Sequence, residues 1–106
     1  MIMSSDRLAQ FLAEKNCPDL PLPLQALWYA KQGDWERAHV LIQNEADADS
    51  AWVHAHLHRQ EGDLSNARYW YKRSGRSPAH IDLDREWEEI TKSLLTKVAN
   101  DGLLNQ

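Results

Sequence analysis

Gly33-Asp34-Trp35-Glu36-Arg37-Ala38 returns 29 residues later as Gly62-Asp63-Leu64-Ser65-Asn66-Ala67. Glycine readily takes the left-handed conformation that ends a helix, and an aspartate just after it can cap the next one. A fixed offset of this size therefore predicts a helical repeat in which each Gly-Asp marks the turn of a helix pair. The match extends beyond the turn, since the same shift sets Leu24 over Val53, Ala26 over Ala55 and Trp28 over Leu57. On a helical wheel these positions make apolar stripes on opposite sides of the first helix of each pair. Such a helix has to be sandwiched between neighbours. The second helices, with one apolar face, suit an outer layer.

The remaining boundaries follow from local signals. A first helix is expected from Ser4 or Ser5, either able to cap it, to Asn16, where Cys17-Pro18 disfavours continuation. The spacing predicts helices from Pro21–Pro23 to Gln32, from Asp34 to Glu45, from Asp49 or Ser50 to Glu61, and from Asp63 to Gly75. A last helix opens at Asp82 or Asp84 and runs to Asn100, with Leu83, Trp87, Ile90, Leu94 and Val98 in helical register. The expected fold class is all-α: a short α-solenoid of two helix pairs, 20–45 and 49–75, flanked by capping helices at 4–16 and 82–100. Residues 1–106 form one domain on this reading. Five tryptophans supply the burial area that short helices otherwise lack.

The net charge of −4 argues against a general nucleic-acid or membrane-surface binder. Cys17 is the only cysteine, so no internal disulfide is possible and a reducing cytoplasm is the expected compartment. No apolar run approaches the ~20 residues a membrane span needs, and Met1–Arg7 lacks the pattern of a signal peptide.

Gly-Asp at the turn, an alanine four or five residues on and an aromatic four beyond it resemble the tetratricopeptide repeat superfamily. Gly62-Asp63, Ala67 and Tyr71 fit this pattern, and Gly33-Asp34, Ala38 and Ile42 keep it with an aliphatic substitute. Ala67-Arg68-Tyr69-Trp70-Tyr71 is similar to the Sel-type variant. The stretch Ala51–Gly75 also resembles a motif of small bacterial and fungal proteins, carried by Trp52, His54, Ala55, Leu57, His58, Arg59, Glu61, Gly62, Asp63, Asn66, Ala67, Tyr69, Trp70 and Tyr71. The resemblance covers residues 20–78 and implies stacked helix pairs. Its offset is shorter than the ~34 residues of that family, and two copies are fewer than a solenoid usually stacks. The flanking helices are therefore expected to cover its ends.

Two stretches could carry chemistry. His54 and His58 lie one helical turn apart, with Glu61 on the same edge. Imidazoles at that spacing beside a carboxylate suit Zn²⁺, or acid–base work, or a packed polar seam between helices. Gln25, Tyr29 and Gln32 stand at the equivalent places of the first copy, which favours the seam. His39 and His80 are isolated in sequence and join a site only through folding. The second stretch surrounds Tyr69-Trp70-Tyr71 with Arg68, Lys72, Arg73 and Arg76. Leu64, Ala67, Trp70, Tyr71 and Ser74 read as core, whereas Tyr69 lies with Asn66, Arg73 and Arg76. The acidic run Asp82, Asp84, Glu86, Glu88 and Glu89 follows and could neutralise that basic face.

The leading expectation is a protein–protein interaction or scaffold module with an unknown protein or peptide partner, presenting Arg59, His56 and Tyr69 at its surface. The alternative is a small ligand- or metal-binding protein or enzyme with a His/Glu/Arg pocket on the second copy. The candidate binding residues are His54, His56, His58, Arg59, Glu61, Asn66, Tyr69 and Arg73. No catalytic residue, metal or cofactor is assigned. A homo-oligomer through the Trp87 stripe of the last helix is a further possibility.

Overall fold

The computed structural model describes residues 4–104, which fold into six helices with no strand among them. These are α1 (Ser4–Ala13), α2 (Leu22–Lys31), α3 (Trp35–Ile42), α4 (Ala48–Gln60), α5 (Leu64–Ser74) and α6 (Leu83–Leu104). The protein is all-α, as its periodicity requires. None of these helices is long and apolar enough to cross a membrane.

The two Gly-Asp turns are built alike. Gly33 and Gly62 adopt φ of +87° and +85°, and each closes with the same pair of backbone bonds. Gly33 N–H donates to the Ala30 carbonyl at 3.1 Å and Asp34 N–H to Tyr29 at 2.9 Å. Gly62 and Asp63 repeat those distances onto Arg59 and His58. Each aspartate side chain then caps the following helix, Asp34 accepting from Arg37 N–H and Asp63 from Asn66 N–H. These bonds satisfy groups that a helix end would otherwise leave without a partner.

Some ends differ from the sequence reading. Helix α1 stops at Ala13 and α3 at Ile42, each three residues early, while α6 continues four residues past Asn100. The cap of α4 is Asp47, which accepts from Ser50 N–H at 3.0 Å, so the helix starts one residue before Asp49. The expected cap of α1 at Ser4 or Ser5 lies outside the described side chains. Leu64, expected in the core, is 56% exposed, because α5 turns only Ala67, Tyr71 and Ser74 fully inward.

The hairpins α2–α3 and α4–α5 hold the most extensive interhelical contacts, and the first packs on the second through α2 and α3 against α4. Helix α6 returns across α2 and α4 and packs on α1. Trp87 pins it there: its indole N–H donates to the Leu27 carbonyl at 2.8 Å while its ring meets Phe11. The main core gathers around Leu24, Leu27, Ile42, Val53, Leu57 and Ile90. Helix α4 is thereby in contact with α2, α3, α5 and α6, and all six residues from Val53 to His58 are buried.

A β-carbon at Gly33 or Gly62 would meet no atom within 4 Å, so only the left-handed backbone opposes a side chain there. Gly33→Ala and Gly62→Ala should each cost about 1–2 kcal/mol, read by urea unfolding. A cost well above this at one turn alone would show that the two turns are not equivalent.

Candidate functional site

Three of the six buried residues in the middle of α4 are histidines, at alternate positions 54, 56 and 58. A helix advances 100° per residue, so His54 and His58 share one face and His56 points nearly the opposite way. Each face must supply polar partners, because buried polar atoms without hydrogen bonds are costly. The structure supplies them from different elements and creates two separate clusters.

The first cluster lies between α3, α4 and α5. His39, from α3, places its Nε2 3.0 Å from Nε2 of His54. The His54 and His58 rings stack with centroids 4.8 Å apart, and His39 stands edge-on to both. Tryptophans close the group at either end, Trp70 against His54 at 3.9 Å and Trp35 against His39 at 4.9 Å. Trp35 also donates its indole N–H to the Leu57 carbonyl at 2.7 Å, which fixes α3 on α4. Glu61 accepts from His58 Nδ1–H at 2.7 Å, leaving Nε2 as the free nitrogen of that ring. His54 Nδ1 is buried without a hydrogen-bond partner. Burial, reinforced by the neighbouring His58 and His39, drives its pKa down to about 3, so His54 is neutral at pH 7.

The second cluster lies between α4, α5 and α6 and centres on Glu86, 2% exposed. Its Oε1 accepts from His56 Nδ1–H at 2.7 Å and from Arg59 at 3.1 Å, and its Oε2 accepts from the Tyr71 hydroxyl. Arg59 also donates to the Ile81 carbonyl, tying the 75–82 connection to α4. Burial alone would raise the Glu86 pKa, but hydrogen bonds from His56, Tyr71 and Arg59 outweigh it and hold the carboxyl below its usual range. The Tyr71 hydroxyl is pushed up, first by burial and then by its bond to Glu86. A surface cavity of about 270 Å³, bordered by Trp52, Arg76 and His80, reaches Tyr71 and Glu86.

The candidate residues are thus divided. His54, His58 and Glu61 come together, joined by His39, whereas His56 and Arg59 belong to the Glu86 cluster. His56, expected at the surface, is 1% exposed, since α6 covers that face of α4. Asn66 is occupied at the α5 cap, where its side chain reaches Asp63. Tyr69 is 55% exposed, and the Arg73 guanidinium lies over the Tyr69 and Trp70 rings. Sequence reasoning did not select Glu86 or Tyr71 as site residues, and left His39 aside. Glu86 had one available signal: it falls beside Trp87 on the buried side of the last helix, whereas Glu88 and Glu89 do not.

Helix α5 also presents a distinct surface. Arg68, Lys72, Arg73 and, just beyond its end, Arg76 are exposed, and residues 64–76 contain no acidic side chain. None of the four cations forms an ion pair among the described residues. Comparison of the chain with family models, with curated proteins and with solved structures returns no match. The functional reading therefore rests on geometry and charge.

Removing the Glu86 carboxylate strands the Arg59 charge, so Glu86→Ala should cost about 3–5 kcal/mol. The pH dependence follows from the lowered pKa. Near pH 4.5 an unfolded glutamate takes up a proton that folded Glu86 refuses. The stabilisation is thus complete above that pH and is lost as pH falls through the lower folded value. The groups facing Glu86 are His56, Arg59 and Tyr71, with Arg76, His80 and Glu89 around the adjoining cavity. Urea titrations should show a steeper loss of stability below pH 4.5 in the wild type than in Glu86→Gln; parallel curves would contradict this assignment.

Proposed function

We propose that this protein is a small tetratricopeptide-like helical-repeat module that binds a protein partner through the outer face of α5. The observation that carries the reading is the uncompensated positive charge of that face in a chain whose net charge is −4. Along the helix Leu64, Arg68 and Lys72 are spaced four apart, with Tyr69 and Arg73 beside them, giving one exposed face that mixes cations with apolar surface. Leu64 and Tyr69 are each more than half exposed. Among the helices, α5 has extensive contact with α4 alone, so its far side stands clear of the rest of the fold. Arginine and tyrosine are the residues that protein interfaces favour at their energetic centres.

The chemistry suits an acidic segment carrying an aromatic or aliphatic anchor. Arg68 and Lys72 would meet the carboxylates, and Leu64 with Tyr69 would cover the anchor. The matching geometry of the two Gly-Asp turns supports the repeat reading. The inner side of the helix pairs, where α2 and α4 face α6, is already covered by this chain's own residues.

A labelled acidic peptide with one aromatic residue, followed by fluorescence anisotropy, tests the surface. Binding should saturate, weaken as salt rises, and fall at least tenfold in Arg68→Glu/Lys72→Glu combined with Tyr69→Ala. These positions are exposed, so the variant should keep its helical circular dichroism. Equal peptide binding by variant and wild type would sink the proposal, and so would tighter binding of a single-stranded oligonucleotide than of the peptide.

A further inference from the structure

The His39–His54–His58 cluster has a composition and geometry that packing alone does not require. We infer that it is a binding site for a divalent transition metal, with Zn²⁺ the best fit, drawing one nitrogen from each of His39, His54 and His58. One nitrogen from each ring lies within 4.8 Å of the other two. In a tetrahedral zinc site, Zn–N bonds of about 2.05 Å place neighbouring nitrogens about 3.3 Å apart. The two Nε2 atoms of His39 and His54 already stand at 3.0 Å. A spread of 4.8 Å exceeds the ideal edge by about 1.5 Å, which rotation of one imidazole about χ2 can close.

Two further features favour a metal over a polar seam. Two ligands one turn apart on α4 and a third from α3 make a compact set whose backbone positions are fixed by the Trp35–Leu57 hydrogen bond. Glu61 holds His58 through Nδ1, the carboxylate–imidazole arrangement that orients metal-binding histidines and raises their basicity. All-imidazole donors suit zinc, nickel or copper rather than calcium or magnesium, which prefer oxygen. His39 is only partly buried and gives the ion its entry. Three nitrogen ligands leave a fourth position for water or for a group from a partner.

A second possible set, His58, Glu61 and Asp63, is less suited. Its His58 and Glu61 are committed to each other, and Asp63 caps α5. The α5 surface proposed for partner binding is independent of the metal site, and either can stand without the other.

Chelator-treated protein titrated with Zn²⁺ alone should bind one equivalent by calorimetry. Co²⁺ should give the intense visible bands of a tetrahedral site and quench tryptophan fluorescence, because Trp35 and Trp70 stack on two of the ligands. His39→Gln, at a partly exposed position that should fold normally, is expected to bind at least tenfold more weakly. Glu61→Gln, which leaves the three ligands in place, should weaken binding by about tenfold, and His80→Gln should bind like the wild type. Absence of saturable one-to-one binding would overturn the proposal. Wild-type affinity in His39→Gln, or a loss in His80→Gln as large as in His39→Gln, would overturn it too. Should His54→Gln fail to fold, the His39 and Glu61 variants still decide the question.

Discussion

The burial of α4 on every side is the constraint from which the rest of this structure follows. A helix enclosed by four others would ordinarily be apolar all round. This one carries three histidines in its middle, and each must find a partner at a distance too short for bulk water. Glu86, delivered by α6, answers His56 on one face. His39, Glu61 and two tryptophan rings enclose His54 and His58 on the other. The elements around α4 are thus positioned by polar complementarity as well as by apolar area, and a shift of one turn would leave several buried groups without partners.

The two clusters differ in kind. Around Glu86 the groups are complementary: a carboxylate accepts from an imidazole, a guanidinium and a phenol, and no oxygen is left over. Such a network, with every member bonded, rigidifies a core and selects one arrangement of it. Around His54 the groups are alike, one buried nitrogen is unbonded, and the aromatic walls offer no further acceptor. The Glu86 cluster is what a structural core needs. The histidine cluster brings three nitrogen donors within 4.8 Å of one another, which is why it is the one with chemistry to offer.

Much of this was legible in the sequence because it is local. The Gly-Asp turns, the stops at Gln32 and Glu61 and the shared face of His54 and His58 all depend on residues within one or two turns. The unreadable part depends on tertiary contact. His39 is fifteen residues from His54 and joins it only because the first hairpin docks its α3 on α4. Glu86 shares the apolar side of α6 with Trp87, but the partners that meet it there are decided by where α6 lies. The return of α6 to α1 was beyond reach too, since repeat spacing describes neighbours in sequence and says nothing about which distant helix covers an inner face. Leu64 shows the converse: its register with Ala67 and Tyr71 suggested burial, but α5 has no neighbour on that side.

The placement of Glu86 on α6 makes one buried face of α4 depend on a distant segment. Without α6, His56 and Tyr71 would lose their carboxylate partner and Arg59 would keep an uncompensated charge. The same helix brings Trp87 onto the Leu27 carbonyl. Covering that face and neutralising it are therefore one contact, and the polar network and the apolar core stand or fall together.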